Sequence, residues 1–101
     1  LGYIMKRILF IALAIIVPSL SFAATPVKEA TCRACHGVEG AKPIVPNYPK
    51  LNGQNKAYIV AALNAYKNGS RTGGLAGMMK GIASSLSDAE MNELAEYYSK
   101  L

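Results

Sequence analysis

The sequence predicts an all-α domain, with about three helices and long loops wrapped around a bound group. Three observations predict it. No segment alternates apolar and polar residues as a strand would, whereas three segments repeat at helical spacing. Two long stretches between helices are rich in glycine or proline. Both cysteines of the chain and its only histidine fall within five residues, Cys32 to His36, in "TCRACHG".

The first segment lies ahead of the domain. "MKRILFIALAIIVPSLSFAA", Met5 to Ala24, reads as a secretory signal peptide. Lys6 and Arg7 make the positive start, and Ile8 to Val17 is an unbroken apolar run of ten residues. Pro18 breaks the run, and Ser21-Phe22-Ala23 places small residues where a signal peptidase inspects them. The expected cut follows Ala23, with Ala24 as second choice. A retained membrane anchor is the competing reading. A spanning helix wants about 20 apolar residues, and the uncharged stretch Ile8 to Ala24 has 17 with a proline inside. Leu1 to Ile4 precede a natural start at Met5. The expected organisation is therefore a signal peptide over residues 1–23 and one domain over residues 24–101.

The first helix is short, around Val27 to Ala34, and runs into the cysteine motif. A loop follows, "GVEGAKPIVPNYPKLNGQ", where three glycines and three prolines forbid regular structure. So long a loop in so small a domain suggests that it wraps something. The second helix runs from about Asn55 to Lys67. Tyr58, Ala61, Ala62 and Ala65 recur on it at helical spacing, as do Ile59, Leu63 and Tyr66. Asn68-Gly69 stops it. "GSRTGGLAGMMKG", Gly69 to Gly81, reads as a second irregular stretch, with five glycines and two adjacent methionines. The last helix starts at Ser87, where "SDAE" is a capping box. Met91, Leu94, Ala95 and Tyr98 give it one apolar stripe.

A domain of this size gains only a few kcal/mol from an apolar core alone, and a staple is usual. Two cysteines three positions apart cannot supply it as a disulfide. The formal charge of +5 falls to +3 without Lys6 and Arg7, nine basic residues against six acidic. The lysines are scattered rather than clustered, so the charge does not mark a nucleic-acid binder.

A Cys-x-x-Cys pair serves as a redox disulfide, as half of a zinc site or as a covalent haem attachment. The redox use expects thioredoxin-like strands and helices, which are absent from the pattern. Zinc needs four ligands, and the chain has three cysteine and histidine side chains in all. Haem attachment needs two thiols for the two vinyl groups and an imidazole directly after them. "CRACH" supplies all three, with Arg33 and Ala34 completing the turn. His36 is then an iron ligand, and its second ring nitrogen should donate to a carbonyl.

No second histidine exists, so the other axial position falls to a methionine. Met5 leaves with the signal peptide, and Met91 lies on the apolar stripe. Met78 and Met79 remain. His/Met ligation raises the reduction potential. Both axial positions are then filled, which points to electron transfer rather than catalysis. The haem offers an apolar plate on which Ile44, Val45, Leu51, Ile59, Leu63, Ile82 and Leu86 are expected to pack.

From Val27 to Leu101 the chain resembles a class I cytochrome c of the small bacterial kind. "CRACHG" matches the haem-binding motif. "PNYPKLNGQ", Pro46 to Gln54, resembles the loop after the haem histidine, and Pro49 to Gly53 match the family's Pro-x-Leu-x-Gly. That match implies that the Pro49 carbonyl accepts from His36. "YKNGSRTGG" and "MMKGIASSLSDAEMNELAEYYSKL" resemble the methionine loop and final helix. The resemblance places the ligand seven residues before the Leu-Ser-Asp of the last helix start, which selects Met79, with Met78 as the alternative. Tyr97 and Tyr98 match the aromatic pair that packs across the first helix, where Ala30 is the expected small residue. Only about seven residues separate the expected cut from Cys32, so the first helix is unusually short.

The resemblance implies a periplasmic electron carrier with one covalent haem c, serving redox protein partners at an exposed haem edge. Lys42, Lys50, Lys56 and Lys80 are expected to frame that edge. Membrane complexes are possible donors or acceptors. A haem subunit held permanently in a larger oxidoreductase, of the sulfide dehydrogenase or terminal oxidase type, fits the same domain. A haem sensor or peroxidase would need an open iron position instead.

Overall fold

The computed structural model describes residues 12–16 and 24–101. The expected signal peptide and its expected cut site lie almost wholly outside the described residues. Among the described residues four helices follow in order: α1 Glu29–His36, α2 Lys56–Asn68, α3 Ala76–Ser84 and α4 Asp88–Ser99. A single 3-10 turn, Val38–Gly40, sits between α1 and α2. No strand occurs among the described residues. No helix among them is long and apolar enough to cross a membrane.

Helix α1 carries the whole Cys-x-x-Cys-His motif. Its first turn holds Glu29 and its last turn Arg33, the order that suits the helix dipole. Gly37 ends it with a positive φ of 83°. A Cβ there would lie 2.0 Å from the Lys42 carbonyl oxygen, so only glycine fits. Helix α2 ends at Gly69 in the left-handed conformation, whose N–H donates to the Tyr66 carbonyl. Of the two α2 stripes, the one through Ile59, Leu63 and Tyr66 faces inward. Ile59 and Leu63 are buried, while Tyr58 is largely exposed. Helix α4 begins with the full capping box: the Ser87 hydroxyl accepts from the Glu90 N–H at 3.1 Å, and the Ser87 N–H donates to Glu90 Oε1 at 3.0 Å.

Helix α3, which the sequence pattern does not predict, replaces the end of the stretch that it makes irregular. Met78 and Met79 stand on this helix, not in a loop. Gly77 and Gly81 each weaken it by about 1 kcal/mol relative to alanine. Packing on α2 offsets that cost. Ala83 is fully buried, and Met79 packs against the core.

The core joins Ile59 and Leu63 of α2, Ala83 of α3, Leu86 of the following link, and Met91, Leu94, Ala95 and Tyr98 of α4. Helix α1 adds no buried apolar side chain to it. Its two buried residues are Glu29 and His36. Ala30 is exposed, contrary to its expected place beneath the tyrosine pair. The small residue that meets Tyr98 is Gly40. A Cβ there would come within 3.0 Å of the Tyr98 ring and 2.7 Å of Leu51 Cβ. The reason is register: with the helix starting at Glu29, Glu29 rather than Ala30 points at α4.

Candidate functional site

The site is built outward from α1. Consecutive helical turns put Cys32, Cys35 and His36 on the wall of one cavity of about 840 Å³. That volume lies inside the range of about 300–1,000 Å³ common for bound groups. Leu51, Ile59, Leu63, Ile82 and Leu94 give the cavity its apolar lining. Four of the seven residues expected against the haem line it: Leu51, Ile59, Leu63 and Ile82. Leu86 is buried in the core instead, and Ile44 points to solvent at 64% exposure. Val45 is also absent from the wall. The cause is the loop path. The Ile44 N–H donates to the Cys35 carbonyl at 3.0 Å, which ties this part of the loop to the end of α1 and away from the cavity wall.

The same loop then returns to the site. The Leu51 N–H donates to the Gly40 carbonyl at 2.8 Å, and the Gly53 N–H donates to the Tyr98 carbonyl at 2.8 Å. These bonds anchor the segment that presents Pro49. The Pro49 carbonyl lies 2.7 Å from His36 Nδ1. A carbonyl only accepts, so Nδ1 carries the proton and donates. Nε2 is thereby left as the nitrogen with a free lone pair in the cavity that His36 lines. Tyr48 stands beside the imidazole, ring centroids 6.3 Å apart.

Met78 and Met79 both line the cavity from α3. Their helix faces differ. Met79 is half-buried against the core, whereas Met78 is 55% exposed and its sulfur accepts from the Tyr48 hydroxyl at 3.9 Å.

Cys32 and Cys35 form no disulfide. Burial pushes the Cys32 thiol up to about 11, and the nearby Glu29 carboxylate adds to the effect. Burial also raises the Tyr98 hydroxyl, with Cys32 and Glu29 contributing. Among the described residues no group of three or more His, Cys, Asp or Glu side chains converges on a point. Two sulfurs, one oriented imidazole, a thioether and apolar walls facing one cavity fit a haem.

Of the lysines expected around the opening, only Lys50 lines the cavity. Lys56 is 2.9 Å from Glu96 on α4, and the Lys80 side chain lies over Gly69. Arg71 is the basic residue that the spacing of lysines did not reveal. It lines the cavity and covers the Tyr66 ring with its guanidinium 4.8 Å from the centroid. No acidic side chain lines the cavity among the described residues.

Comparison with known proteins agrees with this geometry. The chain is similar to cytochrome c-554(548) of Halomonas halodenitrificans, 43% identical over 77 residues, 76% of this chain and 92% of that protein. It is similar to cytochrome c4 of Pseudomonas aeruginosa, 40% identical over 76 residues, 75% of this chain but 36% of that protein. A protein of Thiomonas intermedia named thiosulfate dehydrogenase electron acceptor is 40% identical over 81 residues, 80% of this chain and 36% of its own length. The chain thus spans little more than a third of the last two. The family described as cytochrome c matches residues 23–101. The chain therefore belongs to the cytochrome c family, and it transfers electrons through one haem c bound covalently at Cys32 and Cys35.

Proposed function

We propose that the chain is an exported monohaem carrier that shuttles single electrons between redox proteins in the periplasm. The reading takes residues 1–23 as a cleaved signal peptide and residues 24–101 as the working domain. His36 and Met79 are its axial ligands, and the Pro49 carbonyl orients His36. The observation that carries this is the His36 Nδ1–H donating to Pro49 at 2.7 Å, in a cavity that Met79 also lines.

When bound, the haem supplies an iron that changes oxidation state by one electron. The protein does the rest. Cys32 and Cys35 hold one edge of the group. The Pro49 carbonyl fixes the imidazole tautomer and raises the basicity of Nε2. Met79, half-buried and lining the same cavity, would offer a soft sulfur that favours the reduced state. The apolar lining keeps water from the group. Lys50 and Arg71, with no acid on the same wall, favour a partner with an acidic surface and a weak, transient encounter. The similarity to a thiosulfate dehydrogenase electron acceptor supports a protein donor of that general kind.

Spectroscopy tests the ligand set. The ferric protein should show the weak far-red charge-transfer band of a sulfur–iron(III) bond, and the reduced protein should not bind carbon monoxide at neutral pH. A missing band with ready carbon monoxide binding overturns the carrier reading in favour of an open-site protein. Gel filtration of native extract separates a free carrier, which elutes near its own small mass, from a subunit of a larger oxidoreductase.

A further inference from the structure

Glu29 is a carboxylate with 1% of its surface exposed, on a helix whose only other fully buried residue is His36. Both of its oxygens are used. Oε1 accepts from the Tyr98 hydroxyl at 3.2 Å, and Oε2 lies 2.8 Å from Arg33 Nη2. Tyr98 and Cys32 line the cavity, so Glu29 sits one side chain behind its wall. The field of Glu29 already reaches the wall, since its charge opposes ionisation of the Cys32 sulfur. A buried ion pair is weak evidence of a stabilising role. Apolar residues of similar volume commonly replace buried ion pairs at no loss.

The two charges of the pair are unequally screened. The Arg33 side chain is 47% exposed and shares its charge with water, whereas the Glu29 side chain is 2% exposed. The field behind the cavity wall is therefore that of a negative charge, partly offset by Arg33. Arg33 is one of the two motif residues that haem attachment leaves unassigned.

We propose that Glu29 and Arg33 set the reduction potential of the haem as an opposed pair, with Glu29 lowering it and Arg33 limiting that effect. Reduction adds an electron to the group, and a buried carboxylate nearby opposes the added charge. Removing the carboxylate therefore favours the reduced state. Removing the guanidinium exposes the haem to an unbalanced carboxylate and favours the oxidised state. Glu29 and Arg33 touch neither cysteine edge nor iron ligand in this role; they act through the field. The inference rests on the haem occupying the cavity, and on the ligand set being the same in every variant.

The experiment uses the haem-loaded protein and its Glu29→Gln, Arg33→Gln and Arg33→Lys variants. Midpoint potentials are measured by spectroelectrochemical titration at neutral pH and low salt, with the sulfur–iron band and thermal unfolding recorded for each. The expected result is a higher potential for Glu29→Gln, a lower one for Arg33→Gln, and a value near that of the unaltered protein for Arg33→Lys. A purely structural role would lower thermal stability without opposed shifts. Shifts of one sign, or none, overturn the proposal. If Glu29→Gln fails to load haem, the arginine variants decide. A lowered potential in Arg33→Gln that Arg33→Lys restores supports it, and an unchanged or raised one overturns it. Failure of the His/Met reading would appear separately, as a missing band in the unaltered protein.

Discussion

Cys32, Cys35 and His36 occupy adjoining turns of one eight-residue helix, whereas Met78 and Met79 stand on a helix whose own residues favour it little. The first wall of the cavity is a local construction. Helical spacing alone brings its three side chains together, and one glycine and one hydrogen bond complete it. The second wall is a tertiary construction. Helix α3 carries Gly77 and Gly81 and is held by packing on α2 and by the burial of Ala83. The difference teaches that the two sides of one cofactor site can have different origins, and should fail in different ways.

Breaking the second wall gives the largest effect. Met79→Ala should abolish the sulfur–iron band and lower the reduction potential. Met78→Ala should leave both near their original values, because Met78 is turned toward solvent and Tyr48. Optical spectra of the two ferric variants decide the matter. Loss of the band in Met78→Ala with retention in Met79→Ala would reverse the assignment of the two methionines.

The first wall is tested through the turn that follows it. Gly40→Ala sets a Cβ against Leu51 and the Tyr98 ring, at a backbone φ of 64° that alanine resists. Overpacking of this kind costs about 1–3 kcal/mol. The Leu51 and Asn52 N–H groups both donate to the Gly40 carbonyl, so the strain is transmitted toward Pro49. Chemical denaturation should show the loss, and covalent attachment at the cysteines should survive. Unchanged stability would show that the turn yields freely and does not tie the first wall to α4.

The smallest effect lies far from both walls. Lys100 and, after it, Lys56 hold the Glu96 carboxylate down to about 2 from an ordinary 4.5. The folded value is depressed, so these two contacts, of which only that of Lys56 ties α2 to α4, contribute fully above pH 4.5 and are lost as the pH falls toward 2. Glu96 is exposed, and solvent and salt screen the contribution. Lys56→Gln should therefore flatten the acid limb of the stability curve slightly, and only at low ionic strength. An unaltered acid limb would show that the ion pair is inert.

Much of this was legible in the residues. The capping box at Ser87, the stop at Gly69 and the stripe through Met91, Leu94, Ala95 and Tyr98 depend on neighbours within a turn or two, and local geometry satisfies them. Three things were not. Helix α3 was hidden by its glycines, because the packing that offsets them comes from another helix. The place of Ile44 and Val45 was hidden because a loop's path depends on where its hydrogen bonds close, here at the Cys35 carbonyl. The partner of Tyr98 was hidden because a start at Glu29 turns Ala30 outward and leaves Gly40 to make the close approach.

By itself the sequence determined the attachment chemistry. Two thiols and an imidazole in five residues have one common use, and their spacing is covalent fact before any folding occurs. Only the tertiary structure decided which nitrogen of His36 faces the cavity, since that depends on a carbonyl thirteen residues away. It also decided that Met79 is the half-buried methionine and Met78 the exposed one, and that a charged side chain, Glu29, is enclosed behind the wall. The physical reason is common to all three. Spacing along a chain fixes which groups can meet, but burial and hydrogen-bond partners come from segments distant in sequence, and only packing brings those together.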